Sequence, residues 1–354
     1  MARIRKTTNK NNIIILCEGS DTEVKYFKGI KKYLNANFPD RFSEIRIVPI
    51  IEEKINTNNN RRPRRQLQPP HGISSSKRYW EKWEHSDEEY NKYKAQPTRF
   101  VREAQLFMEE DGFIEAWAVY DKDTFTSHKD AVELATSVNV NIAYSSYCFE
   151  EWLLLHFERN PNPFEHSVCK NNGKDKGCGT NVIDDCHGNI CLAGYIREHN
   201  YIPNYAKSQD DIFTTYTLPN LNKALLNAAW SRSLSNDPFY LCNPYTNIDN
   251  LIKHLIDIDK EYIWCNLGDS VPFAGTTIHV TSQSGILTIT NGGKHSIVFT
   301  PQNCIIYDEE LSTQRPFITR PIIDNFIEDK TQCNDKYLCL IDSNKYYFFD
   351  LQAN

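Results

Sequence analysis

The chain has 354 residues, a little over two domains at roughly 150 residues each. Its 40% hydrophobic and 24% charged residues exclude disordered, collagen-like and coiled-coil classes. A formal charge of −6 excludes a general polycation, so nucleic-acid contact would need a local basic patch.

Apolar runs such as Ile13 to Cys17 and Trp152 to Leu155 reach only about five residues, far too short to span a membrane. The basic start MARIRKTTNKNN is followed by too short an apolar run for a signal-peptide core. A cytoplasmic chain with no membrane partner is the expectation. Its eleven cysteines are then reduced thiols or metal ligands, not a disulfide framework.

In chain order, IIILC (13–17) is a continuous β-branched and apolar run, the mark of a strand buried at the centre of a parallel sheet. Glu18-Gly19-Ser20-Asp21 supplies a turn and a helix N-cap. Val24, Tyr26, Phe27, Ile30 and Tyr33 then recur at helical spacing over 22–37. A second strand is expected at 44–51. Residues 54–97, rich in Asn and Arg, read as an exposed excursion, flexible at first and helical later. A helix over 97–110 leads to a third strand at 114–120 (IEAWAVY), which runs into Asp121-Lys122-Asp123. A helix at 129–137, a strand at 140–144 and a buried helix at 149–157 follow. This alternation predicts a doubly wound α/β domain. Helices are expected at 220–231 and 247–260, and short strands from about residue 272 predict a small all-β appendage. The expected division is a catalytic domain over 1–160, a cysteine-containing insert with helical completion over 161–262, and a β-rich domain over 270–354.

Open α/β sheets bind ligands at the carboxyl ends of their strands. Glu18 directly follows the first strand, with Glu23 one turn into the next helix. Asp121 and Asp123 directly follow the third strand. Hard carboxylate oxygens clustered there suit Mg²⁺ or Mn²⁺, and without a cation they would raise one another's pKa. The plainer alternative is a set of helix caps and solvated loop acids.

Three segments, ILCEGSDTEVKYF (15–27), WAVYDKDTF (117–125) and SYCFEEWLLLHFE (146–158), resemble the RloB-like family, and NPYTNIDNLI (243–252) is a fourth match in the family's order. The resemblance spans about residues 11–260. It implies a Toprim fold, a parallel sheet flanked by helices, in proteins linked to restriction and abortive-infection loci. It would make Glu18 a general acid/base or metal ligand and Asp121 and Asp123 the Mg²⁺ ligands. Glu23 matches a second acid of the related overcoming-lysogenization-defect nucleases, where two metals are used. Glu150 would be a further ligand or orienting group, unless it is a helix N-terminal acid placed by the dipole. Lys207, in a Tyr-x-Lys element with Tyr205, could neutralise a phosphate or be a surface lysine. Lys122 could touch phosphate, although alternation turns it away from its flanking aspartates. His156, among leucines and Phe157, reads foremost as a core histidine, although the family pattern keeps a histidine there, which leaves a role near the site open.

Three features depart from the family pattern. Arg61, Arg62, Arg64 and Arg65 precede Tyr79, Trp80, Trp83, Tyr90 and Tyr93, which suits a nucleic-acid backbone and stacked bases, or else a solvated loop and a packed helix. Cys169, Cys178, Cys186 and Cys191, with His187, could close a structural Zn²⁺ site, but they lack a CxxC knuckle. The third is the β appendage, which could dock a partner, bind a small signal or restrain the enzyme.

The expected activity is Mg²⁺-dependent cleavage of nucleic acid, RNA (tRNA among it) before DNA, in antiphage defence. A non-catalytic sensor module is the alternative. No Walker A motif is present, since GKDKGCGT (173–180) fails the pattern, so any ATPase would be a partner protein. A homo-oligomer stays open.

Overall fold

The computed structural model describes residues 11–49, 86–123, 125–164, 191–259, 261–273, 276–283, 286–290, 295–299, 304–308, 337–342 and 344–350. Two compact units emerge. The first comprises residues 1–220 and 237–252, and the second comprises 221–236 and 253–354.

The first unit is built on β1 (Asn11–Cys17), α1 (Thr22–Asn37), β2 (Phe42–Val48), α2 (Asp87–Tyr93), α3 (Thr98–Glu110), β3 (Glu115–Asp121), α4 (His128–Val138) and β4 (Asn141–Ser146). α5 (Glu150–Leu154), α6 (Leu192–Glu198), a π-helical turn (Phe213–Thr217) and the two-residue β5 (Tyr245–Thr246) complete it. The sheet order is β2-β1-β3-β4-β5, with the first four strands parallel and β5 antiparallel. β1 is apolar throughout because both its faces are covered: Ile13, Ile14, Ile15, Leu16 and Cys17 are all buried. On one face Ile14, Leu16, Ala116, Ala118 and Tyr120 meet Phe100, Val101, Ala104 and Phe107 of α3 and Ala131 and Ala135 of α4. α1 lies on the other, where Tyr26 and Phe27 pack edge-on to Phe149 and Tyr26 to Phe213. The Trp152 indole donates to the Tyr26 hydroxyl at 2.9 Å.

This order places a topological switch point between β1 and β3. The chain leaves β1 toward β2 on one side and returns to place β3 on the other, which opens a crevice at the carboxyl ends of those two strands.

Several boundaries differ from the sequence expectation. α5 ends at Leu154, since Phe157 N–H reaches back only to Leu154 and His156 N–H only to Leu153. The helix expected over 247–260 is α8 (Ile248–Ile256). Asp257 takes a left-handed φ of 63° and Ile258 N–H bonds back to Lys253, which closes the helix. Asp21 precedes α1 but makes no side-chain cap bond; only its carbonyl accepts, from Lys25 N–H.

The second unit contains α7 (Leu221–Ser233) and two sheets. β6 (Glu261–Cys265) runs parallel to β13 (Lys345–Asp350), which pairs antiparallel with β12 (Tyr337–Asp342). β7 (Ser270–Phe273), β8 (Thr276–Gln283), β9 (Ile286–Thr290), β10 (His295–Phe299) and β11 (Cys304–Asp308) form a five-stranded antiparallel meander. Val271, Phe273, Ile278, Val280, Ile289, Tyr347 and Phe349 share its core. The chain is therefore mixed α/β, with a mostly parallel, helix-flanked central sheet and a small antiparallel sheet toward the C-terminus. Among the described residues, no helix is long and apolar enough to cross a membrane.

Candidate active site

The crevice between β1 and β3 is where the acids collect. Glu18 leaves β1 with its N–H bonded to the Val119 carbonyl at 2.8 Å, which extends the parallel ladder by one step. Its carboxylate then accepts the Asp121 N–H at 3.0 Å and ties the ends of the two strands together. Glu23, 8% exposed in the first turn of α1, folds back over the preceding turn. A Cβ on Gly19 would lie 2.5 Å from Glu23 Oε2, so only glycine leaves this carboxylate where it is.

Burial and mutual repulsion set the protonation of the group. Glu18 is pushed up to about 8, by burial first and then by Glu23 and Asp123, against the opposing Asp121 N–H and Lys207. Burial likewise raises Glu23 to about 7, with Glu150 adding to it. Asp121 lies well above the usual carboxylate range, again through burial, then Glu23, Glu18 and Glu150. Asp123 is exposed at a left-handed φ of 38°, and its carboxylate accepts the Tyr147 hydroxyl at 3.2 Å.

Glu150 behaves differently. Its side chain is 1% exposed at the start of α5, and burial alone would favour its neutral form. Lys207, the Cys148 thiol and the Tyr205 hydroxyl outweigh that, and the carboxyl titrates below its ordinary value. Tyr205 donates to Glu150 Oε1 at 2.8 Å and Lys207 Nζ stands 3.7 Å from the same oxygen. Glu150 is thus an ionised anchor for a lysine whose side chain is still 44% exposed and faces Asp121 and Glu23. Thr22 fixes the same segment by donating to the Lys207 carbonyl at 3.2 Å.

The structure therefore brings Glu18, Glu23, Asp121, Glu150 and Lys207 into one place, with Asp123 at its rim. Lys122 turns away, as strand alternation requires, and its ammonium lies 3.3 and 3.4 Å from the Leu241 and Cys242 carbonyls. His156 is a core residue. It is fully buried against the Trp152 ring with Nδ1 2.9 Å from the Trp152 carbonyl, and burial pushes its pKa down to about 3. Arg61, Arg62, Arg64, Arg65, Cys169, Cys178, Cys186 and His187 lie outside the described residues; Cys191 is buried immediately before α6. Sequence reasoning missed Gly19, Cys148 and Tyr147. Only Gly19 carried a signal, its place in a strand-to-helix turn before an acid.

The Asn-Pro-x-Thr-Asn segment has a structural task. Asn247 Oδ1 accepts the Tyr144 N–H at 2.6 Å, its Nδ2 donates to the Ile142 carbonyl at 3.2 Å, and its N–H reaches the Tyr144 carbonyl at 3.0 Å. Thr246 Oγ1 adds a bond to the same carbonyl and lies 2.8 Å from Ser145 Oγ. The motif thus completes the edge of β4, the strand that leads to Glu150.

The donor set fits a hard divalent cation: it is all oxygen, crowded and rich in carboxylates that resist ionising together. Among the described residues, no three acidic, histidine or cysteine side chains already surround one point as metal ligands do. Binding would therefore draw the acids together.

No curated protein and no solved structure matches the chain. Residues 13–255, well over half of it, match the family described as RloB-like protein and include all the acids of the crevice and Lys207. The chain is a member of the RloB-like family.

Proposed function

We propose that the chain is a Toprim-like, Mg²⁺-dependent nuclease that hydrolyses phosphodiester bonds, with RNA the favoured polymer. The observation that carries this reading is the convergence of Glu18, Glu23 and Asp121 at the switch point. Each is held above its ordinary pKa by burial and by the other acids, beside a lysine fixed over them. Such an arrangement costs folding energy that a purely structural role does not repay, and it suits a site completed by a cation. The preference for RNA, tRNA among it, and the setting in antiphage defence rest on the family resemblance alone.

Glu18, Glu23 and Asp121 would hold the ion, with Asp123 at the entrance. A divalent cation there would lower the pKa of attacking water and offset charge on the phosphoryl oxygens. Lys207 supplies a point charge for a phosphate oxygen, and Glu150 and Tyr205 keep its ammonium in place.

The test is direct. Purified protein is incubated with total tRNA, single-stranded RNA or plasmid DNA in Mg²⁺, Mn²⁺ or EDTA, beside Asp121→Ala and Glu18→Ala. Discrete metal-dependent products that both variants fail to make are expected. Equal cleavage by wild type and both variants, or no cleavage of any polymer, overturns the reading.

A further inference from the structure

We infer that Glu158, which the catalytic reading does not use, is a positioning residue that holds Lys207 over the acids. The inference rests on the proposed role of Lys207 in phosphate binding. The segment that carries Lys207 has no regular structure of its own after α6, and it turns through left-handed backbone at Asn200 and Asn204 (φ 53° and 54°). Such a stretch needs side-chain ties to keep one shape.

Glu158 supplies two of them. Its Oε1 accepts the Tyr195 hydroxyl at 2.6 Å and its Oε2 the Tyr201 hydroxyl at 2.5 Å, while Asn160 donates to Oε1 at 3.1 Å. Between the two tyrosines stands His199, stacked on Tyr195 at 3.9 Å and on Tyr201 at 5.5 Å; Tyr201 also stacks on Phe157 at 4.9 Å with rings 3° from parallel. One carboxylate therefore closes a column of aromatic rings at both tyrosine edges. Charge-assisted bonds of this length are the strong class of hydrogen bond.

The column is coupled onward to Lys207. Arg197 Nη1, between Tyr195 and His199 in the chain, donates to the Tyr205 carbonyl at 2.7 Å, and Tyr205 in turn reaches Glu150. Glu158 and Glu150 lie eight residues apart on one stretch of chain. They grip the start and the end of the 195–207 segment, and the second of these grips contains the lysine. Glu158 has no bond to the acids of the crevice among those described, so its effect on the reaction passes through the segment.

The experiment compares wild type with Glu158→Ala, Glu158→Gln and Tyr201→Phe. Residue-by-residue mass spectrometry reads the acetylation rate of Lys207 by N-hydroxysuccinimidyl acetate, with Lys28 and Lys129 as internal references. Glu158→Ala should speed Lys207 acetylation several-fold relative to the references. Tyr201→Phe should give a smaller rise, and Glu158→Gln should restore much of the protection. On a cleaved RNA, Glu158→Ala should raise KM several-fold with kcat nearly kept, and it should add little when combined with Lys207→Ala. Unchanged relative acetylation of Lys207 in both Glu158→Ala and Tyr201→Phe overturns the inference, as does a Glu158→Ala effect on KM that adds fully to that of Lys207→Ala. If the wild type cleaves no polymer, the nuclease reading falls, while the acetylation rates still decide what holds Lys207.

Discussion

Glu18 and Glu23 give the residue scale its sharpest consequence, because their protonation is linked to folding. Their pKa values stand at about 8 and about 7 in the folded chain against an ordinary 4.5. Between those limits the folded protein holds protons that the unfolded chain has released, so stability must fall as pH rises. Buried His156, neutral in the folded chain but protonated below about pH 6.5 when unfolded, opposes this at lower pH, so melting curves without divalent ions should show a declining Tm between about pH 6.5 and pH 8. Saturating Mg²⁺ should flatten that decline by stabilising the charged carboxylates, and replacing Asp121 by Asn should lessen it by removing one of the raised acids. A Tm that is level or rising across this window would show that the acids are not crowded as described. Gly19 makes a companion case. The atom a new Cβ would meet is the movable end of Glu23, so Gly19→Ala should leave Tm nearly unchanged while displacing the carboxylate. Mg²⁺-dependent cleavage should drop about tenfold or more, equivalent to about 1.4 kcal/mol of transition-state stabilisation. Full activity in Gly19→Ala would remove Glu23 from the site.

At the scale of elements, the edge of β4 depends on a side chain as much as on a strand. Asn247 satisfies both the N–H of Tyr144 and the carbonyl of Ile142. Removing it strands two backbone groups at about 1–3 kcal/mol each, so Asn247→Ala should lower unfolding free energy by about 2–6 kcal/mol. Denaturant titration reads this directly, and a loss below about 0.5 kcal/mol, the range of ordinary surface substitutions, would show the clip to be dispensable. Strands and helices whose pattern is local were legible in the sequence. IIILC and IEAWAVY are continuous apolar runs because both faces are covered, and the spacing of Val24, Tyr26, Phe27 and Ile30 marks the face that α1 buries. Glu18 and Asp121 were legible for a related reason, as the first polar residues beyond buried strands. What escaped is what only distance in the chain creates. β5 is two residues long and exists only as a partner of β4, and α5 stops short although its apolar run continues. The pairing of Glu150 with Tyr205 and Lys207 joins residues more than fifty positions apart, which no spacing rule encodes.

The whole molecule divides along lines that do not follow the chain. α7 belongs with the β-rich second unit although more than a dozen residues of the first unit follow it before the chain enters that unit for good. Its buried positions, Leu221, Ala224, Leu225, Leu226, Asn227, Ala228, Ala229 and Ser231, fall on every side of the helix, and it packs on β6. A helix apolar all round must be covered all round, and an uncovered patch of that kind promotes association. Ending the chain at Ile256 removes β6 and leaves α7 behind, so a cut that looks like removal of a separate appendage should uncover one side of that helix. Such a truncation is expected to bind the dye ANS, to unfold less cooperatively than the full chain and to aggregate on concentration. Restoring solubility should require polar replacements at the α7 positions that β6 covers. A truncated protein that stays monodisperse, binds no dye and melts as sharply as the full chain would show that α7 does not rely on β6, and that the first unit can carry the acid site without the second.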